Sequence, residues 1–257
     1  MRFLETADLS INFGGLKAVD RVGLFIDEGE ILSLIGPNGA GKTTLFNLIS
    51  GFLRPAEGSV SYRGEVITGW PPHQIAFKGL VRTFQKTNIF SEITVREGVA
   101  TGFHLRRKVS LSKILLNSHK ARMEQKDVER WTSDVLDFAG LMPWADLLGK
   151  NLPYGKQRIL EIGVALAASP RLLLLDEPAS GLNPKETNEF MALIRKIRDE
   201  KGITVFLIEH NMNLVVGISD RVVVLNHGKK IAEGPPGVIS KDQAVIEAYL
   251  GRGFGHA

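Results

Sequence analysis

The chain has 257 residues, 44% of them hydrophobic and 23% charged, with 27 Gly, 11 Pro and no Cys. At about 150 residues per domain that length builds one or two domains, and it closes a full core without staples. The absence of Cys excludes a disulfide framework, a thiolate metal site and a cysteine nucleophile, while a net charge of +4 is too mild to announce a nucleic-acid binder.

The longest stretch free of Asp, Glu, Lys and Arg is Val66–Phe77, 12 residues with Pro71 and Pro72 inside it. A spanning helix needs about 20 apolar residues, so none is expected. Met1–Glu5 meets an acid at once and does not read as a secretory leader. Phe3–Phe13 and Val19–Ile26 read as strands, with turns at Gly14-Gly15 and at Glu28-Gly29-Glu30. Ile31–Ile35 is a short apolar run, as a buried strand requires. It enters a glycine loop at Gly36–Gly41, and Thr43–Ser50 comes next at helical spacing.

The stretch from about Trp70 to Pro153 carries longer helical patterns and reads as a mostly helical insertion. Inside it, His104–Lys126 holds Arg106, Arg107, Lys108, Lys113, Lys120, Arg122 and Lys126 against the single acid Glu124. That segment is either a solvated helical face or a surface turned to phospholipid headgroups or an acidic partner. Beyond it come a helix at Tyr154–Ala168, a buried strand at Leu172–Leu175, a helix at Lys185–Glu200 and another buried strand at Ile203–Ile208. Val222–Leu225 and Lys230–Glu233 form a hairpin around Asn226-His227-Gly228, and a last helix covers about Asp242–Leu250. Buried strands alternating with helices predict a mainly parallel α/β core.

Gly36-Pro37-Asn38-Gly39-Ala40-Gly41-Lys42-Thr43 satisfies G-x-x-x-x-G-K-[ST] without mismatch, between a strand and a helix. Glycines let backbone N–H groups curl around phosphate oxygens, and the next helix points its positive end at the same anion. Lys42 reaches the terminal phosphates and the Thr43 hydroxyl ligates Mg²⁺, so the loop predicts ATP with Mg²⁺. Leu172–Leu175 then ends in Asp176-Glu177. Alone, this is an ordinary acid pair after a core strand. Together with the loop, it places Asp176 beside the metal and Glu177 as the general base that activates water.

With those residues in place, the chain resembles the nucleotide-binding subunits of ABC transporters over nearly its whole length. The glycine loop, continued by Thr44, and Leu175-Asp176-Glu177-Pro178 are similar to Walker A and Walker B. Arg82-Thr83-Phe84-Gln85 resembles the Q-loop, which implies a metal-sensing and permease-coupling role for Gln85. Leu152-Pro153-Tyr154-Gly155-Lys156-Gln157 stands where the family carries its Leu-Ser-Gly-Gly-Gln-Gln signature, and Ser180–Pro184 where it carries the D-loop, with Asn183 in place of the usual Asp. His210 is similar to the switch histidine that contacts the γ-phosphate, and Phe13 to the aromatic that stacks on adenine. The implied fold is α/β: a P-loop ATPase cassette with an N-terminal antiparallel β-subdomain, a mainly parallel core sheet and a helical subdomain at about 86–165 inserted in the core, all within one nucleotide-binding domain.

Phe13–Val19, Thr44–Asn47, Gly181–Thr187 and Val245–Gly251 resemble the branched-chain amino acid importer ATPases in particular. That resemblance implies a second ATPase subunit (a different chain, or else a homodimer), two integral-membrane permeases, an external solute-binding protein, no nucleic acid, and a peripheral place on the cytoplasmic side of the cell membrane. Urea, short amides or another small organic solute remain open as cargo, and so does a soluble ATPase of the same family. The signature departs most: Pro153 stands for the family's Ser, Tyr154 for its first Gly and Lys156 for its first Gln. Proline brings neither a hydroxyl nor an N–H, so the ATP site this signature completes on a partner is expected to be the weaker one, with Gly155 as the remaining close-approach donor.

Overall fold

The computed structural model describes residues 2–83, 91–106 and 119–250. Two compact units emerge, one of residues 1–82, 171–181 and 187–257, the other of 83–170 and 182–186. Among the described residues no helix is long and apolar enough to cross a membrane.

The first unit holds both sheets. β1 (Arg2–Phe13) and β2 (Leu16–Asp27) form an antiparallel pair, with Phe13 opposite Leu16 at the turn. β1 also pairs with β4 (Glu57–Tyr62), and β4 with the two-residue β5 (Glu65–Val66), giving the order β2-β1-β4-β5. The second sheet runs in the order β10 (Lys229–Gly234), β9 (Arg221–Asn226), β3 (Ile31–Ile35), β8 (Thr204–Ile208), β7 (Leu172–Asp176) and β6 (Leu80–Arg82). Its centre is β3, β7 and β8, buried at every position. Strands covered on both faces cannot alternate apolar with polar, which is why these three stand out as unbroken apolar runs. β9 continues the parallel order, and β10 returns antiparallel through His227-Gly228, the expected hairpin.

β6 corrects the expectation that Trp70–Pro153 is insertion from its start. This strand pairs in parallel with β7 at the core edge, and α2 (Pro72–Phe77) belongs to the same unit. Three residues are too few to show a period. One apolar cluster joins the two sheets through Leu4, Leu9, Val22 and Ile26 on one side and Leu32, Leu172, Phe206 and Val223 on the other. Phe46 of α1 (Lys42–Ile49) packs on Phe206 with ring centroids 4.7 Å apart.

The second unit is helical. α3 (Val95–Gly102) opens with a reciprocal cap: the Glu97 N–H donates to Thr94 Oγ1, and the Thr94 N–H to Glu97 Oε2. α4 (His119–Phe138) and α5 (Tyr154–Ala167) pack beside it. A Cβ on Gly102 would lie 2.2 Å from the Val164 carbonyl oxygen, so α3 and α5 approach at a point that only glycine permits. Most of the basic segment, residues 107–118 with the side chains of Arg106, Lys120 and Arg122, lies outside the described residues, as do Phe84 and Gln85.

Candidate functional site

The phosphate loop is built from its ends inward. Gly36 closes β3 with φ 149°, and a Cβ there would lie 2.1 Å from the Leu225 carbonyl oxygen. Gly41 sits in the left-handed region at φ 100° and precedes α1, where a Cβ would meet the Ala18 carbonyl oxygen at 2.3 Å. Both positions admit only glycine. No side chain caps α1, so the first-turn N–H groups stay open toward an anion. The β9–β10 turn holds the loop from outside, since the Gly228 N–H donates to the Ala40 carbonyl at 3.0 Å. Asn38, Gly39 and Thr43 are exposed and Ala40 is buried.

Lys42 folds back over this loop. Its Nζ donates to the Gly36 carbonyl at 2.7 Å and to the Pro37 carbonyl at 3.0 Å. Burial lowers the Lys42 pKa, while the nearby Glu177 and Asp176 carboxylates oppose that shift. The ammonium is therefore held among carbonyl oxygens that phosphate oxygens can replace.

β7 delivers the two acids. Asp176 Oδ2 accepts from Arg82 Nη2 at 2.9 Å, with the two side chains only 4% and 9% exposed. Arg82 Nη1 also donates to Asn47 Oδ1 at 2.6 Å and to Ser50 Oγ at 3.2 Å, which ties α1 to β6 and β7. Asp176 Oδ1 is buried and has no hydrogen-bond partner. A buried carboxylate oxygen left open behind a phosphate loop is a donor atom for a hard cation, so the residues present fit Mg²⁺. Glu177 comes next in the left-handed region at φ 48°, uncommon for a residue with a side chain. Its Oε1 lies 4.0 Å from His210 Nδ1. The structure therefore brings Lys42, Asp176, Glu177 and His210 into one unit, at the loop-bearing ends of β3, β7 and β8. Phe13 is 50% exposed at the end of β1, a ring open to stacking.

The signature stretch sits in the other unit. Pro153 precedes α5 in extended geometry, and its carbonyl accepts from the N–H groups of Lys156 and Gln157 at 2.9 and 3.0 Å. Tyr154 is exposed, and its hydroxyl accepts from Arg158 Nη2 at 2.7 Å. Gly155 is buried against Glu186, whose carboxyl carbon would lie 2.8 Å from a Cβ placed there. Asn183 and Glu186 cap α6 (Pro184–Lys201) reciprocally, each backbone N–H donating to the other's side chain at 3.0 Å.

Three residues at the site escape sequence reasoning. Arg82 shows only as the start of a loop motif. Glu209 shows only as a charge directly after an apolar strand. The Tyr249 hydroxyl, from α9 (Gln243–Leu250), accepts from the Gly36 N–H at 2.8 Å, and its one signal is its place in the Val245–Gly251 string.

A family model described as ABC transporter matches residues 19–180, and one described as branched-chain amino acid ATP-binding cassette transporter matches residues 229–255. The chain belongs to the ATP-binding subunits of the ABC transporter family, which are ATPases coupled to transport. It is 44% identical over 248 residues to the high-affinity branched-chain amino acid transport ATP-binding protein BraF of Pseudomonas aeruginosa, covering 96% of this chain and 97% of that protein. It is 46% identical over 248 residues to the corresponding protein LivG of Salmonella typhimurium, with the same two coverages. An ATP-binding cassette of an ABC transporter in its ADP conformation superposes with a TM-score of 0.86 at 32% identity, over 98% of this chain and 99% of that one. A dimeric, post-hydrolysis cassette bound to ADP and Pi superposes with a TM-score of 0.75 at 25% identity, over 91% and 98%.

Proposed function

We propose that this chain hydrolyses Mg-ATP to drive import of branched-chain amino acids, as the ATP-binding subunit of a transporter. The observation that carries the reading is the conjunction of Lys42, Asp176, Glu177 and His210 around a phosphate loop that only glycine can form. The cargo class is supported by the full-length similarity to branched-chain amino acid transport proteins and by the match over residues 229–255. Cargo assignment to urea or amides has no corresponding support. Nor does a soluble role, since the named relatives are transport proteins.

In this reading the loop N–H groups and Lys42 bind the β- and γ-phosphates, and the exposed Phe13 ring stacks on the base. Thr43, Asp176 and Gln85 would hold Mg²⁺, which when bound supplies positive charge against the transferred phosphoryl group. Arg82 keeps one Asp176 oxygen engaged and leaves the other free. Glu177 accepts the proton of the attacking water, and His210, 4.0 Å from the Glu177 carboxylate, donates to the γ-phosphate. Pro153, Tyr154 and Gly155 face the nucleotide of a second cassette, in keeping with the dimeric relative. Permeases, an external binding protein and a peripheral position at the cytoplasmic face complete the assembly.

The test is Glu177→Gln in the full-length chain. ATP binding, read by equilibrium dialysis with Mg²⁺, should stay within about threefold of the parent, while turnover falls by roughly 100-fold or more, the scale of a lost general base. Substantial residual hydrolysis would remove Glu177 as the base.

A further inference from the structure

Glu209 stands where β8 ends and is 0% exposed. A carboxylate that deep costs several kcal/mol unless its oxygens are fully engaged. Here they are engaged by backbone alone. Oε1 accepts from the Ala179 N–H at 2.9 Å. Oε2 accepts from the His210 N–H at 3.1 Å and from the Asn211 N–H at 3.2 Å. Burial pushes the Glu209 pKa up, and the same three N–H groups work against that shift.

The three donors lie on two separate segments. Ala179 is two residues beyond Glu177, and His210 and Asn211 open the segment before α7 (Met212–Ile218). Beneath them the strands are already registered: the Glu177 N–H donates to the Ile208 carbonyl at 3.0 Å, and the Glu209 N–H to the Leu34 carbonyl at 3.2 Å. The ladder therefore sets the strand ends, and the Glu209 side chain sets the two loops that leave them. Glu177 itself holds a left-handed conformation that is strained for a residue with a side chain and lasts only where its surroundings over-determine it. Without the carboxylate, Ala179, His210 and Asn211 would each leave an N–H looking for another partner.

We propose that Glu209 is a positioning residue that clamps the Glu177 loop to the His210 loop and so sets the spacing between base and phosphate donor. The Glu209 carboxylate bonds to the backbone N–H groups of Ala179, His210 and Asn211. It acts through two residues whose catalytic roles rest on the function proposed above. A neutral amide cannot replace it, because Gln offers one acceptor oxygen and turns an NH₂ group toward backbone N–H donors.

The experiment is a double-mutant cycle on ATP hydrolysis in the assembled transporter, with Glu209→Gln, His210→Ala and the pair. Glu209→Gln should lower kcat by roughly 10- to 100-fold, the scale of charge-assisted bonds lost from a buried group, and leave KM for ATP within about threefold. In the His210→Ala background the same change should cost clearly less than in the parent, because one of the two residues it positions is gone. An equal factor in both backgrounds, or a KM that rises in step with the fall in kcat, would overturn the proposal. Amide hydrogen exchange on the unmutated chain needs no variant to fold: the Ala179, His210 and Asn211 amides should exchange together and at least about tenfold more slowly than free loop amides. Exchange at free-loop rates sinks the clamp. If His210→Ala alone leaves turnover intact, the catalytic reading of His210 falls, while the clamp still stands or falls on the exchange result.

Discussion

Replacing Arg82 with Met tests the arrangement behind Asp176. The change keeps length and apolar stem but removes a cation whose side chain is 9% exposed from a carboxylate 4% exposed. At the observed 2.9 Å, two unit charges interact by roughly 6 kcal/mol at an effective dielectric of 20. Removing one partner of a buried pair costs about 3–5 kcal/mol, because the other charge stays buried and unpaired. The bond to Asn47 Oδ1 at 2.6 Å is lost as well. For a chain of this size about 3 kcal/mol corresponds to a fall of roughly 10 °C in Tm. The assay is thermal unfolding of the full-length chain without nucleotide, for Arg82→Met, Asp176→Asn and the double variant. Because the penalty belongs to the stranded carboxylate, Asp176→Asn should return about 2 kcal/mol or more when added to Arg82→Met. A loss under about 1 kcal/mol for Arg82→Met, or strictly additive variants, would refute the claim that Arg82 neutralises Asp176 in the absence of metal.

Pro153→Ser should raise ATPase activity or ATP affinity at one of the two nucleotide sites of the assembled transporter, since it restores a hydroxyl and an N–H that proline lacks; unchanged rate and affinity at both sites would count against unequal sites. Tyr249→Phe removes the acceptor for the Gly36 N–H and should weaken ATP binding about fivefold, one hydrogen bond of roughly 1 kcal/mol, as read by titration calorimetry. Identical affinity would mean that α9 does not brace the phosphate loop. Thr94→Ala breaks the cap of α3 and should cost about 1 kcal/mol in urea unfolding, with ATP binding unchanged.

The phosphate loop and the acid pair after β7 were legible in the amino-acid order because each is contiguous. Their glycines, lysine and carboxylates occur together in the chain as they do in space, and the flanking apolar runs name the strands. β3, β7 and β8 were equally plain, since burial on both faces demands unbroken apolar residues. β4, β5 and β6 were not: β5 and β6 have two and three residues, and β4 is buried at only two of its six positions, so no period develops. The signature at Pro153–Gln157 is readable only by likeness, because no elementary chemistry asks for those side chains within one chain.

What tertiary structure alone decided is the pairing of distant residues. Arg82 and Asp176 are 94 positions apart, and Gly36 and Tyr249 are 213 apart. Periodicity constrains which residues face the core, not which two buried charges meet there. The sheet order puts β6 beside β7, and that neighbourhood turns the Arg82 guanidinium into the counter-charge of Asp176. The same order puts the ends of β7 and β8 side by side, so that Glu209 can reach Ala179 as well as the two residues after it. The +4 net charge of the chain carries none of this; a few buried ions, matched one by one across the fold, do.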